Sequence, residues 1–160
     1  MSIPTKFAGW RGGNYLAAYD TTNQPITASG EVFAWNYNTV ELSKNISIVD
    51  TSKITFNKAG IYNIQFSAQI VNSNASSTQV YVWPRLNGVN IPYSNTKYTL
   101  QGSGEAEVVV LNYVLDLNKD DYVQVCWSDS DTVSLLAELS SASPDKPAIP
   151  SIILTVWQIN

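Results

Sequence analysis

The sequence has no histidine, a single cysteine and few charged residues. Histidine is the usual acid or base of catalysis at neutral pH, so its absence argues against an enzyme, and no cofactor is expected. Cys126 has no partner for an intrachain disulfide. Its neighbours Val123, Val125 and Trp127 are typical of a buried strand, which predicts an inert core thiol.

Charge is scarce and scattered. Nine basic and thirteen acidic residues make up 14% of the chain and give a formal net charge of −4. The Lys and Arg residues stand singly, whereas a nucleic-acid interface needs clustered cations. No apolar run approaches the roughly 18 residues of a membrane span, and the first residues lack the features of a secretory signal. We therefore expect no nucleic-acid or membrane partner and synthesis in a reducing cytoplasm.

The carboxylates form no convincing catalytic pair. Asp120 and Asp121 stand in a predicted turn, where Asp is favoured for its hydrogen bonds to the backbone. Glu105 and Glu107 share one face at the start of a strand and are expected to be solvated. Residues 128–131 (Ser-Asp-Ser-Asp) could offer oxygen ligands to calcium, but they lack the Gly and the distal Glu of a helix-loop-helix calcium site. A loop without metal is the preferred interpretation.

Apolar and polar residues alternate along most of the chain, which is the pattern of half-buried β-strands. In residues 61–71, Tyr62, Ile64, Phe66, Ala68 and Ile70 point one way and polar residues the other. Asn87-Gly88 predicts a tight hairpin, and three prolines predict an extended loop before the last strand. The length of 160 residues fits one domain. Strands are predicted at residues 14–20, 31–36, 46–49, 53–57, 61–71, 78–86, 96–101, 105–117, 121–128, 132–138 and 151–159.

Aromatic residues are numerous, with five Trp and nine Tyr. Several of them lie near predicted strand ends or loops, where exposed aromatic rings mark subunit contacts or stack on sugars. Packing and subunit contact is the preferred interpretation, and a glycan site is the alternative. The residues concerned are Trp35, Tyr37, Trp83, Tyr93 and Tyr98.

Residues 54–66 resemble the signature of the complement-type and tumour-necrosis-factor-type jelly rolls. That signature has an aromatic residue, a short turn that ends in Gly, and a strand with alternating aromatic residues. Phe56, Gly60, Tyr62 and Phe66 match it, while Ile64 occupies a position often held by Phe. Segments 83–88, 108–117, 122–127 and 152–159 follow in the family's order. The resemblance implies an all-β, single-domain antiparallel β-sandwich, a ten-stranded jelly roll over residues 14–160.

The resemblance also implies a homotrimer in which one sheet of each copy faces the three-fold axis. That sheet would contain the strands at residues 61–71, 105–117 and 151–159. The alternative is a strand at residues 105–117 that is buried on both sides within a monomer. The implied interface residues are Asn63, Gln65, Ser67 and Gln69 on one strand and Val108, Val110, Asn112 and Val114 on the next.

The chain is similar to the phage branch of this family, since it has no collagen-like stalk and no paired cysteines. A compact trimer with a short N-terminal arm, residues 1–13, suits a capsid decoration, cement or head-spike protein at the virion surface. Phe7, Trp10 and Arg11 would anchor the arm to the major capsid protein or another virion protein. The alternative function is the receptor-binding knob of a fibre or spike that recognises host glycans. A glycan-processing enzyme would need two carboxylates across a cleft, which the sequence does not offer.

Overall fold

The computed structural model describes residues 13–129, 133–138, 141–142 and 145–159. Every regular element in these residues is a β-strand, as the alternating pattern predicted. The strands in chain order are β1 (Tyr15–Asp20), β2 (Gln24–Pro25), β3 (Phe33–Ala34), β4 (Thr39–Lys44), β5 (Ile46–Val49), β6 (Lys53–Phe56), β7 (Gly60–Asn72), β8 (Thr78–Leu86), β9 (Val89–Asn90), β10 (Thr96–Leu100), β11 (Ala106–Leu117), β12 (Tyr122–Asp129), β13 (Val133–Leu135), β14 (Ser141–Ala142), β15 (Asp145–Lys146) and β16 (Ile152–Gln158).

The first sheet has five long strands side by side in the order β11-β7-β16-β1-β4, all antiparallel to their neighbours. The short strand β13 pairs with the end of β7 that extends beyond β16, and β2 pairs with β13. Both outermost long strands, β11 and β4, lie at an edge of the sheet. The three strands that the resemblance placed together therefore lie side by side, with β7 between β11 and β16.

The second sheet has the order β10-β8-β12-β6-β5, with β3 added to β12 and β9 to β8. Its five long strands and the five of the first sheet make up the ten strands of the predicted jelly roll. Alternate residues of both sheets meet in the core, because successive side chains of a strand point to opposite faces. Tyr62, Ile64, Phe66, Ala68 and Ile70 are all at most 1% exposed, which confirms the predicted core face of β7.

Aromatic rings fill the centre of the sandwich. The Trp35 ring meets Phe66 edge-on at 4.9 Å between centroids and Trp127 at 6.2 Å. Trp35 is fully buried and Tyr37 is 3% exposed. This burial fits the preferred interpretation, packing, and makes the alternative of a glycan contact wrong for these two residues. Strand β3 pairs with β12 in the second sheet, and the Trp35 backbone N–H donates to the Val125 carbonyl oxygen. Burial raises the pKa of Tyr37 well above its ordinary value.

The predicted hairpin at Asn87-Gly88 is confirmed. Both residues have positive φ, 49° and 81°, as a two-residue hairpin turn requires, and Leu86 pairs with Val89. Before the last strand the structure differs from the predicted loop, since β14 pairs with β15 and Glu138 pairs with Ile149 to form a two-stranded ribbon. Strand β4 was not predicted. It is an edge strand with almost every residue exposed, so it lacks the alternation on which the prediction relied.

Candidate interface on the first sheet

The eight predicted interface residues come together on one surface. The register of β7 and β11 pairs Asn63 with Val114, Gln65 with Asn112, Ser67 with Val110 and Gln69 with Val108. Their side chains point away from the core, because the residues between them on each strand face the interior. Asn63 differs from the others, since it is only 7% exposed. The structure therefore places all eight predicted residues on a single face of the first sheet.

The valines on this face are exposed. Val108 and Val110 are each 51% exposed and Val114 is 58% exposed, whereas Val109 and Leu117 of the same strand are buried in the core. The alternative prediction, a strand buried on both sides within a monomer, is therefore wrong. It fails because, within the described residues, nothing packs on the outward side of β11.

The same face continues across β16 and β1. Ile153, Thr155 and Trp157 of β16 lie in register with Ser67, Gln65 and Asn63. Tyr15, Ala17 and Tyr19 of β1 lie in register with Trp157, Thr155 and Ile153. Sequence reasoning missed the contribution of β1, although the alternation of Tyr15, Ala17 and Tyr19 with Leu16 and Ala18 carries the same signal. We call these outward residues of β11, β7, β16 and β1 the outer face: Val108, Val110, Asn112, Val114, Asn63, Gln65, Ser67, Gln69, Ile153, Thr155, Trp157, Tyr15, Ala17 and Tyr19.

The outer face carries no charge. Its centre on β7 is amide and hydroxyl, and its flanks are valines on β11 and isoleucine and tyrosine on β16 and β1. The nearest charged residues in register are Asp116, opposite Ile61, and Lys44, opposite Tyr15, and both lie at the border. A surface without ions avoids the cost of burying charges, while its central amides and hydroxyls would need hydrogen-bond partners when the surface is covered, which favours a protein partner.

Hydrogen bonds between uncharged side chains tie the sheet together at one end. Asn14 Nδ2 donates to Tyr62 Oη at 3.0 Å and to Gln158 Oε1 at 2.7 Å, and Asn45 Nδ2 donates to Asn14 Oδ1 at 2.7 Å. We call Asn14, Asn45, Tyr62 and Gln158 the amide cluster. It fixes the start of β1 beside the end of β16, so the outer face is anchored where the chain enters and leaves the sheet.

A groove of about 520 Å³ borders the opposite end of the outer face. One wall is the outer face itself, at Tyr19 and Ile153, and the other is the base of the ribbon, at Glu138, Ile149 and Pro150. Ile149 and Ile153 are 39% and 46% exposed. Sequence reasoning had no signal for this groove, because it depends on how the ribbon lies against the sheet.

The remaining aromatic candidates are spread over separate places. Trp83 is only 9% exposed, and its indole Nε1 donates to Asn90 Oδ1 at 2.8 Å, which fits the preferred interpretation, packing, and makes the glycan alternative wrong for this residue. Tyr98 packs partly against the core. Tyr93 is fully exposed and has a φ of 59°, a backbone conformation that is uncommon for a bulky residue. A glycan role stays a prediction for Tyr93 and Tyr98.

The predicted N-terminal anchor and the calcium candidate lie wholly or partly outside the described residues. The anchor residues Phe7, Trp10 and Arg11 lie outside the described residues, as does all of the predicted arm except Gly13. In the calcium candidate, residues 128–131, residues 130 and 131 also lie outside them. Asp129 is buried, and its Oδ1 accepts a hydrogen bond from Thr78 Oγ1 at 2.7 Å. No cluster of three or more potential metal-ligating His, Cys, Asp or Glu residues occurs in the described part of the chain.

Cys126 and Asp121, the chemically reactive candidates, both have structural roles. Cys126 is buried, as predicted, and burial raises the pKa of its thiol to about 11, so the thiol stays protonated at neutral pH. Asp121 accepts hydrogen bonds from Asn87 Nδ2 and from the Asn118 backbone N–H, each at 2.7 Å. These bonds hold the pKa of Asp121 below its ordinary value. The turn role predicted for Asp121 is confirmed.

No helix capable of spanning a lipid bilayer is found in the described part of the chain.

In comparisons with known proteins, no family model matches this chain, and no curated protein matches it. Solved structures do match its fold. The structure of murine APRIL aligns over 92% of this chain and 100% of its own, with a TM-score of 0.57 and 9% identity. The globular domain of the zebrafish complement 1qA protein aligns over 92% of this chain and 96% of its own, with a TM-score of 0.51 and 12% identity. Both are jelly rolls of the tumour-necrosis-factor type, and this chain has the same fold.

Proposed function

We propose that this protein is a homotrimeric structural protein of a virion surface, a capsid decoration, cement or head-spike protein that acts by attachment and not by catalysis. Three copies associate through the outer face. The N-terminal arm, residues 1–13, attaches the trimer to the major capsid protein or to another virion protein. The trimer assembles in the host cytoplasm, and no cofactor takes part.

The uncharged outer face is the observation that carries this proposal. Its four strands and the seven residues from Val108 to Val114 along each strand span about 15 Å by 20 Å at ordinary strand spacings. Covering the exposed parts of Val108, Val110 and Val114 would contribute on the order of 3 kcal/mol per copy, before the cost of association. A copy of the same chain is a suitable partner, since it offers the same uncharged chemistry.

The number three comes from the fold. Domains of the tumour-necrosis-factor and complement type are homotrimeric, and the outer face occupies the sheet that the family resemblance assigns to the three-fold axis. The likeness to APRIL and to the complement domain supports this arrangement through the fold alone, because the identities are 9% and 12%.

The same substitution at two exposed valines, one on the outer face and one elsewhere, tests the self-association. Val110→Lys places a charge at the centre of the β11 flank, whereas Val89→Lys changes a 70% exposed valine on the second sheet. We expect light scattering after gel filtration to give three times the 17.6 kDa chain mass for the wild type and Val89→Lys, and one chain mass for Val110→Lys with an unchanged circular dichroism spectrum. A wild type that elutes as a single chain would contradict the proposal.

The virion role is tested by removal of the arm. Deletion of residues 2–12 is expected to abolish attachment to virions while the truncated protein remains trimeric. Attachment is measured by co-sedimentation with particles that lack the protein, and images of intact particles locate the wild type on the shell or on the tail. Unchanged attachment of the truncated protein would eliminate the arm as the anchor.

The alternative function, a receptor-binding knob for host glycans, is favoured by one observation. Tyr93 presents its whole ring to solvent on a loop with a positive φ, and strained backbone of this kind is concentrated at functional sites. In a glycan array, Tyr93→Ala should then abolish binding, whereas Tyr81→Ala, which changes a half-buried tyrosine of β8, should not. No binding by the wild type would eliminate this alternative.

A further inference from the structure

The turn at Asn87-Gly88 pairs an asparagine with the residue type that most favours its spontaneous deamidation. In that reaction the backbone nitrogen of the following residue attacks the side-chain carbonyl carbon of the asparagine. A glycine hinders this attack least, because it has no side chain. Asn87-Gly88 is the only Asn-Gly pair in the sequence, and both residues are exposed to water. The chemistry of the two residues therefore singles out this turn.

Both ends of the Asn87 side-chain amide are held by the neighbouring turn between β11 and β12. Asn87 Nδ2 donates to Asp121 Oδ1 at 2.7 Å, and the Tyr122 backbone N–H donates to Asn87 Oδ1 at 2.9 Å. The Asn87 backbone N–H also donates to the Tyr122 carbonyl oxygen at 2.9 Å. The side-chain carbon of Asn87 can turn toward the Gly88 nitrogen only after both side-chain hydrogen bonds break. The fold therefore opposes a reaction that the sequence favours.

The Asp121 carboxylate is well placed to hold the amide. Its second oxygen accepts a hydrogen bond from the Asn118 backbone N–H at 2.7 Å, which fixes the carboxylate beside Asn87. An ionised acceptor makes a stronger hydrogen bond than a neutral one. The adjacent Asp120 has different surroundings, since its carboxylate is 71% exposed and lies 3.7 Å from Lys119 Nζ. Asp120 therefore offers a matched control for Asp121.

We propose that Asn87 is a latent deamidation site, kept unreacted by its hydrogen bonds to Asp121 and Tyr122, and that deamidation releases the hairpin from the neighbouring turn. The Gly88 nitrogen loses its proton and bonds to the Asn87 side-chain carbon, and the amide nitrogen leaves as ammonia. Water then opens the succinimide ring to aspartate or isoaspartate, with no oxidation or reduction. The new carboxylate has no N–H to donate, and it repels the carboxylate of Asp121. The reaction takes place within one chain, so the proposal holds whether or not three copies associate.

Peptide mass spectrometry after incubation in heavy-oxygen water measures the reaction, because ring opening leaves one heavy oxygen at residue 87. We expect the folded wild type to react at least about tenfold more slowly than the same chain unfolded in guanidinium chloride, since two hydrogen bonds must break first. Asp121→Ala should react at least about threefold faster than the folded wild type. Asp120→Ala should react at the wild-type rate. Circular dichroism checks that both variants are folded.

Equal rates for the folded and the unfolded wild type would overturn the protection by the fold. An Asp121→Ala rate equal to that of the wild type would overturn the role of Asp121.

The release of the hairpin is tested with Asn87→Asp, which copies the aspartate product. Its unfolding midpoint in urea should lie below that of the wild type. Adding Asp121→Asn leaves one carboxylate at the contact and restores an N–H donor, so the double variant should recover most of the loss. Adding Asp120→Asn instead should recover none. If Asp121→Asn restores no stability to Asn87→Asp, repulsion between residues 87 and 121 does not act and the proposed release is wrong.

Discussion

Gly60 lies against the side chain of Gln158, where β7 begins and β16 ends. A Cβ on Gly60 would clash with Gln158 Nε2, and the residue has a φ of 157°. Gln158 would have to shift, which would disturb the hydrogen bond that its Oε1 accepts from Asn14 Nδ2. The absence of a side chain at Gly60 therefore leaves room for Gln158 in the amide cluster.

Gly60→Ala is expected to lower the free energy of unfolding by about 2 to 4 kcal/mol, because it combines a steric clash with backbone strain. The matched control is Gly104→Ala, where φ is 82° and no atom lies within 4 Å of the added Cβ. That substitution introduces strain alone and should cost about 1 kcal/mol. Urea denaturation of both variants makes the comparison. Equal losses would mean that Gln158 does not restrict residue 60.

Asp121 is expected to stabilise the fold in a pH-dependent way. Its folded pKa lies below the ordinary value, chiefly because Asn87 Nδ2 donates to the carboxylate. The stabilisation is therefore present above the unfolded pKa, near pH 4, and is lost as the pH falls through the folded pKa. We expect Asp121→Asn to lower the free energy of unfolding by less than about 1 kcal/mol at neutral pH, since the site is exposed.

The pH profile distinguishes this effect from a general loss. The stability difference between the wild type and Asp121→Asn should shrink as chemical denaturation is repeated in increasingly acid buffer. Asp120→Asn provides the control, because its carboxylate is 71% exposed and lies 3.7 Å from Lys119 Nζ. A constant difference for Asp121→Asn at every pH would contradict the role of its ionised form.

At the scale of elements, the two faces of β11 have different surroundings. Its inward residues pack in the core and its outward residues form one flank of the outer face. Val109→Ala should therefore lower the free energy of unfolding at every protein concentration, by about 2 kcal/mol. Val110→Ala should instead weaken only the concentration-dependent part, which comes from association. Thermal unfolding over a range of protein concentrations measures both. The same concentration dependence for the two variants would contradict this division.

The sequence predicted long alternating strands best, because each such strand has one buried face. In β7 and β11 the alternation indicated which residues face the core and which face outward, and the assignment of the eight outward residues to a subunit interface came from the family resemblance and stays a prediction. It failed at β4, whose residues are nearly all exposed, and it did not show whether aromatic residues near short strands, such as Trp35 and Tyr37, lie in the core. The groove was also beyond prediction, since residues 19, 149 and 153 come together only when the ribbon and the first sheet are both in place.

At the scale of the whole molecule, association should be nearly independent of salt. The outer face has no charged residue, so its contacts are not screened by ions, and the net charge of −4 is small. We expect the dissociation constant of the trimer to change less than about threefold between 0.05 and 1 M sodium chloride. Sedimentation velocity at each salt concentration provides the measurement. A trimer that dissociates steeply as salt rises would mean that ion pairs outside this face hold it together.

The amide cluster also has a consequence for how the chain can be rearranged. The Gln158 backbone N–H donates to the Asn14 carbonyl oxygen at 2.8 Å, so residues 14 and 158 are close enough to be joined by a linker of about four to six residues. Circular permutation should therefore be tolerated, with new ends opened in an exposed turn such as the one at Asn118. In such a permutant the order of the strands along the chain changes while every neighbour in both sheets stays the same.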